Sequence, residues 1–303
     1  MNIGLRLTSD WQETSHWRDL IVNHHFSIKT LHEEGISYIE FGLWHRKQTH
    51  FATPEEEMTI LAQQAIHLIT EGFKIHIHPY IHYNHPGESY VKAYDEERKE
   101  TASDGFIQMI ALGADIGKRQ GSPVSLVFHP ASQKLSSTDC LEPDRLRSEL
   151  ISRSNLFFKQ AQNYIRHWRL PVEVVSEIQP PADPDMIAVG DKPNELLATV
   201  QDTDWGICWD MGHYLLSSQR YGFDPYPEKD FLNRVRHVHL HGVINGQDHQ
   251  PASPQTNYLR RCMALLRNIR YSGNITLEYD YAKDNSTDVI SVIREGVKTV
   301  LLD

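Results

Sequence analysis

The chain has 303 residues, 40% hydrophobic and 23% charged, enough apolar material for a sizeable core without disulfide staples. Thirty Lys and Arg against forty Asp and Glu give a formal charge of −10, and no basic stripe of the kind that neutralises nucleic-acid phosphates is present. No run of about 18 apolar residues is available to span a membrane, three scattered cysteines exclude a disulfide framework, and the first residues show no leader pattern, so the expectation is a cytoplasmic protein acting on a small molecule.

Short apolar runs alternate with longer amphipathic stretches from one end to the other. Strands are predicted over residues 2–7, 38–43, 74–80, 124–129, 172–178, 206–210, 235–241 and 274–279. Helices are predicted over 27–34, 55–71, 97–119, 144–168, 194–200, 258–269 and 287–302. Thr53-Pro54-Glu55-Glu56 reads as a helix start, with Pro in the first turn and acids facing the dipole. Strict alternation implies parallel strands joined by right-handed crossovers. Eight units close more simply as one (β/α)8 TIM barrel, a single domain over residues 1–303, than as an open sheet. An open sheet would carry a Gly-rich phosphate turn after its first strand, and Thr8-Ser9-Asp10-Trp11 is not one. Residues 82–95 and 214–229, rich in aromatics, are expected as loops over the barrel mouth.

Residues two apart on a strand share a face. His237-Val238-His239-Leu240-His241 puts three imidazoles on the inner side and two apolar residues toward the helices. By the same alternation His78, His129, Glu177, Asp210 and Glu278 end their strands facing inward, and His213 follows Asp210 by three residues. Barrel enzymes keep their chemistry at this C-terminal rim. Carboxylates and imidazoles converging on one buried spot are costly without a cation to bind, and they are good ligands for Zn²⁺ or Mn²⁺. His76, His237 and Glu173 lie deeper in their strands and read as structural. A lone strand-end His is more often a hydrogen-bonded core residue than a ligand, so the convergence carries the argument and no single residue does.

In strand order these residues resemble the xylose-isomerase-like barrels, a superfamily that includes sugar epimerases and the endonuclease IV enzymes. The resemblance runs the length of the chain through short strand-end motifs: Glu177, Asp210-Met211-Gly212-His213, His239 and Glu278. His78-Pro79-Tyr80 and His129-Pro130-Ala131-Ser132 resemble segments of the hydrolase branch, and His239-Leu240-His241-Gly242-Val243 with Asp248-His249 looks like the cobamide-remodelling phosphodiesterases. That branch implies two or three divalent ions: one on His78, His129 and Glu177, a second on Glu177, Asp210, His239 and Glu278, and a third on His213 and His249 with Asp248. The pair Asp248-His249 is adjacent here, where endonuclease IV spaces its residues by one.

Two enzymatic readings follow from the resemblance. The first is a metal-dependent phosphodiesterase on a non-DNA small molecule, with Glu177, Glu278 and His213 catalytic and Tyr80, His82 and His241 touching substrate. The alternative is a metal-dependent isomerase or epimerase of sugars or sugar phosphates, with one ion and with Glu177 and Glu278 exchanging a proton on opposite sides of a carbon. A non-catalytic binding protein on the same scaffold would be expected to have lost a carboxylate of the set, and none is lost.

Overall fold

The computed structural model describes residues 1–8, 28–44, 54–80, 99–135, 143–279 and 288–302. Its strands are β1 (Asn2–Thr8), β2 (Tyr38–Trp44), β3 (Lys74–Tyr80), β4 (Val124–Phe128), β5 (Ser132–Lys134), β6 (Val172–Glu177), β7 (Met186–Ala188), β8 (Gly206–Asp210), β9 (Val235–Leu240), β10 (Gly242–Ile244), β11 (Gln247–Gln250) and β12 (Asn274–Leu277). Its helices are α1 (Ile28–Glu33), α2 (Pro54–Thr70), α3 (Lys99–Gln120), α4 (Pro143–His167), α5 (Pro193–Thr199), α6 (Met211–Tyr221), α7 (Lys229–Arg234), α8 (Asn257–Asn268) and α9 (Val289–Leu301).

Eight parallel strands close on themselves in the order β1-β12-β9-β8-β6-β4-β3-β2, so the expectation of a single (β/α)8 TIM barrel holds. The alternation read from the sequence explains why. Leu5, Leu7, Ile39, Phe41, Ile75, Ile77, Leu126, Phe128, Val174, Trp209, Val238, Leu240, Ile275 and Leu277 are buried in one apolar cluster, shared with the inner faces of the helices. In α8 the residues Leu259, Cys262, Met263 and Leu266 recur at helical spacing and are buried; each large apolar side chain hidden this way stabilises by about 1.5–3 kcal/mol. Among the described residues no helix is long and apolar enough to cross a membrane.

Inside the barrel the two halves differ. Val127, Val175 and Cys208, from β4, β6 and β8, make a small apolar plug. The opposite half is polar: Tyr38 and Glu40 of β2, His76 of β3, His237 of β9 and Thr276 of β12 are buried together. His76 shows how such a residue is satisfied, since its Nδ1 accepts the backbone N–H of Ser125 at 2.9 Å.

The mouth differs from expectation in one segment. Residues 214–229 do not form a loop throughout: Met211–Tyr221 is helix α6 and Lys229–Arg234 is helix α7. The Asp210 side chain accepts the backbone N–H of His213 at 2.6 Å and so caps α6. Gly222 ends it with φ 75°, a left-handed conformation that glycine adopts at no steric cost. The buried face of α6 mixes Met211 and Tyr214 with Gly212, His213, Ser217 and Ser218, so its apolar stripe is short and interrupted. Two short antiparallel ribbons, β5 with β7 and β10 with β11, are additional to the barrel. The expected loop over 82–95 lies outside the described residues.

Candidate metal centre

Glu177 closes β6, Asp210 closes β8, and Glu278 follows β12 directly. Asp210 is paired in register with His239 of β9, which brings those two side chains to one level of the barrel. One ligand atom from each of Glu177, Asp210, His239 and Glu278 lies within 4.8 Å of all the others, and all four side chains are buried.

The geometry centres on one nitrogen. His239 Nδ1 lies 2.9 Å from Glu177 Oε1, 2.6 Å from Glu278 Oε2 and 3.7 Å from Asp210 Oδ2. An imidazole nitrogen carries at most one proton and can serve one acceptor well, so three buried carboxylates are not satisfied by it. Glu278 Oε2, despite its closeness, makes no hydrogen bond. Divalent ions bond such donors at about 2.0–2.2 Å, which separates neighbouring donors by roughly 3–3.5 Å. The four residues therefore fit one divalent cation in donor type, number and charge, with their ligand atoms gathered within 4.8 Å of one another.

Each glutamate is also held from behind. Glu177 Oε2 is 2.6 Å from His78 Nε2 and 3.0 Å from His129 Nε2. Glu278 Oε1 is 3.1 Å from His249 Nε2 and is ion-paired with the guanidinium of Arg6 on β1. Burial alone would raise the pKa of Glu177, yet His239, His78 and His129 hold it well below the usual carboxylate range. Burial pushes His78 down to about 3 in spite of the neighbouring Glu177.

A second group lies alongside. His213, His241 and His249 each offer a ring nitrogen within 4.8 Å of the others. His241 Nδ1 accepts the backbone N–H of His249 at 2.9 Å, which leaves Nε2 as the donor to Asp210 at 3.0–3.1 Å. The close approach of that ring requires the glycine in Asp210-Met211-Gly212-His213, because a Cβ on Gly212 would lie 2.0 Å from the His241 ring. His249 has φ 52°, unusual for a residue other than glycine. Asp248 spans two rings, 3.1 Å from His249 Nδ1 and 3.5 Å from His213 Nε2. Burial works against a charge on His213, but Asp210 and Asp248 carry its pKa up to about 9.

The candidate residues thus arrive in two adjoining groups. His78 and His129 meet at Glu177. His241, expected as a substrate contact, is hydrogen-bonded to Asp210 and stacked on His249 with ring centroids 4.6 Å apart. Tyr80 ends β3, and His82 lies outside the described residues. Two further participants, Arg6 and Glu40, lie mid-strand and carry no strand-end signal in the sequence. Glu40 Oε1 is 3.0 Å from His239 Nε2, on the face of the ring away from the carboxylates.

Comparison with known proteins agrees with the barrel fold. The model of the xylose isomerase-like TIM barrel family matches residues 28–299. A search of curated protein sequences finds no match. Among solved structures, a D-tagatose 3-epimerase-like protein superposes with TM-score 0.60 at 18% identity, over 99% of this chain and 98% of that one. The IolI protein with a bound zinc atom gives TM-score 0.64 at 15% identity, over 99% and 98%. D-Allulose 3-epimerase from Methylomonas sp., in complex with D-allulose, gives 0.55 at 13%, over 99% and 96%. At such identities the likeness is one of fold.

Proposed function

Because the chain belongs to the xylose isomerase-like TIM barrel family, we propose that it is a metal-dependent isomerase or epimerase of sugars or sugar phosphates. The observation that carries this reading is the placement of Glu177 and Glu278, each presenting an oxygen to His239 Nδ1 from a different strand end. The phosphodiesterase reading moves to second place, since solved structures resembling this chain include proteins named as sugar 3-epimerases and the main donor set needs only one ion.

Glu177, Asp210, His239 and Glu278 would hold the ion. A divalent cation there supplies a Lewis acid that polarises a carbonyl and its neighbouring hydroxyl, making the hydrogen on the adjoining carbon acidic. The protein supplies the rest. One glutamate takes that proton as general base, and the other delivers a proton from the opposite side. Return to the same carbon inverts it; return to the neighbouring carbon interconverts ketose and aldose. His78 and His129 keep Glu177 in place, and Arg6 and His249 do the same for Glu278, so neither carboxylate must reorganise as the proton moves.

The test is deuterium exchange. Incubated in D₂O with Mn²⁺, Co²⁺ or Zn²⁺ and a panel of ketopentoses, ketohexoses and their phosphates, the protein is expected to place deuterium on the carbon beside the carbonyl of at least one sugar and to form its epimer or isomer. One observation favours the second reading: ring nitrogens of His213, His241 and His249 lie within 4.8 Å of one another, a donor group that a multi-ion phosphodiesterase could use if His241 gave up its bond to Asp210 or to the His249 backbone. Turnover of bis(p-nitrophenyl) phosphate with no exchange in any sugar would put that reading first.

A further inference from the structure

We propose that Glu40 is a positioning residue of the metal centre: its carboxylate beside Nε2 of His239 favours the proton on that nitrogen and thereby makes Nδ1 the ring's ligating atom. The inference rests on the reading that His239 is a ligand and goes beyond it by assigning the residue that chooses the nitrogen. A neutral imidazole has one donor and one acceptor nitrogen, and the partner of the first fixes the role of the second. His239 Nδ1 faces Glu177, Asp210 and Glu278, whereas Nε2 lies 3.0 Å from Glu40 Oε1 in a charge contact that is not aligned as a hydrogen bond.

Glu40 is itself fixed by its surroundings. Its Oε2 accepts the Thr276 hydroxyl at 3.0 Å and lies 2.8 Å from His237 Nε2. The Thr276 hydroxyl is in turn 2.8 Å from the Tyr38 hydroxyl. Two imidazoles and a hydroxyl converging on one carboxylate are the surroundings of an acceptor. Tyr38, Glu40, His237, His239 and Thr276 are all at most 1% exposed, so bulk water does not compete for these contacts. Register explains the arrangement: β12 pairs Thr276 with His239, while β2 carries Tyr38 and Glu40 two residues apart on one face. A carboxylate behind a metal-ligating histidine orients the ring and raises its basicity, and loss of such a partner costs about 10- to 100-fold in metal affinity.

Two measurements test this. In the native protein, labelled with ¹⁵N-histidine and loaded with Zn²⁺, long-range ¹H–¹⁵N correlations are expected to show His239 protonated at Nε2 and shifted by metal at Nδ1. Zinc affinity, from competition with a chromophoric chelator, is expected to fall about 10- to 100-fold in Glu40→Leu. In Glu40→Gln, whose amide oxygen still accepts but bears no charge, the fall is expected to be smaller. Zinc bound at His239 Nε2, or a folded Glu40→Leu with native affinity, overturns the assignment of Glu40 alone. A protein in which His239 takes no zinc overturns both this assignment and the metal-dependent reading beneath it. Should Glu40→Leu fail to fold, the spectrum of the native protein still decides.

Discussion

The Arg6 guanidinium and the Glu278 carboxylate are ion-paired across the seam between β1 and β12, both almost fully buried. This pair bears on the charge of the four-residue set. Three ionised carboxylates and a divalent ion leave one negative charge, and Arg6 offsets it. Coulomb's law at an effective dielectric of about 20 gives roughly 3 kcal/mol for unit charges about 5 Å apart. Replacing Arg6 with Met therefore should tighten divalent-metal binding by about tenfold or more while slowing turnover, because Glu278 loses its anchor. Isothermal titration with Mn²⁺ beside a turnover assay checks both directions. Weaker metal binding in the variant would mean that Arg6 shapes the site and does not balance its charge.

The proposed division of labour between Glu177 and Glu278 has its own signature. With metal saturating, Glu177→Gln and Glu278→Gln should each lower interconversion by about 10²- to 10⁴-fold, the usual contribution of a general acid–base group. Each variant should keep deuterium exchange into only one of the two epimers, the one whose hydrogen faces the remaining carboxylate. Far-UV circular dichroism should stay native. Exchange into both epimers by either variant would remove the two-carboxylate scheme.

How far the site is legible in the sequence depends on where each residue falls on its strand. Glu177, Asp210, His239 and Glu278 can be read because each breaks an apolar alternation close to a strand's C-terminal end. Arg6 and Glu40 break their strands, NIGLRLT and YIEFGLW, just as plainly. They lie mid-strand, however, where a charge has no rim chemistry to explain it, and their partners come from strands far away in sequence: Glu278 for Arg6, and His237, His239 and Thr276 for Glu40. Closure of β1 onto β12 is what creates the first pair, and no local pattern encodes it. Helix α6 is hard to read for another reason: Gly212, His213, Ser217 and Ser218 share its buried face with Met211 and Tyr214, which leaves only a short, interrupted hydrophobic period.

Metal content separates the roles of the two donor groups. Protein purified without chelator or affinity tag should carry one tightly held divalent ion per chain, lost on dialysis against EDTA together with activity and restored by Mn²⁺, Co²⁺ or Zn²⁺. Asp210→Asn should lose that ion. His249→Ala should keep it, because His249 touches Glu278 and is not part of the four-residue set. Two or three equivalents by plasma mass spectrometry, reduced by one in His249→Ala, would bring the His213, His241 and His249 group into service as a second metal site and favour the phosphodiesterase.

Acid should weaken the barrel through His76. Burial pushes its pKa from 6.5 down to about 3, with the charge of His237 adding to the effect. The structural reason is that Nδ1 accepts the Ser125 N–H, so a proton there would break that bond and leave a charge in the barrel interior. Above pH 6.5 the residue is neutral whether the chain is folded or not, and its contribution to stability is fully present. Between pH 6.5 and about 3 the unfolded chain binds a proton that the folded chain refuses. Stability then falls as pH falls, by up to about 1.4 kcal/mol per pH unit for one such group. His76→Asn should begin less stable at pH 7.5 and show a shallower decline from pH 6.5 to 4 in urea titrations. An unchanged slope would assign the acid sensitivity to other buried groups, His78 first among them.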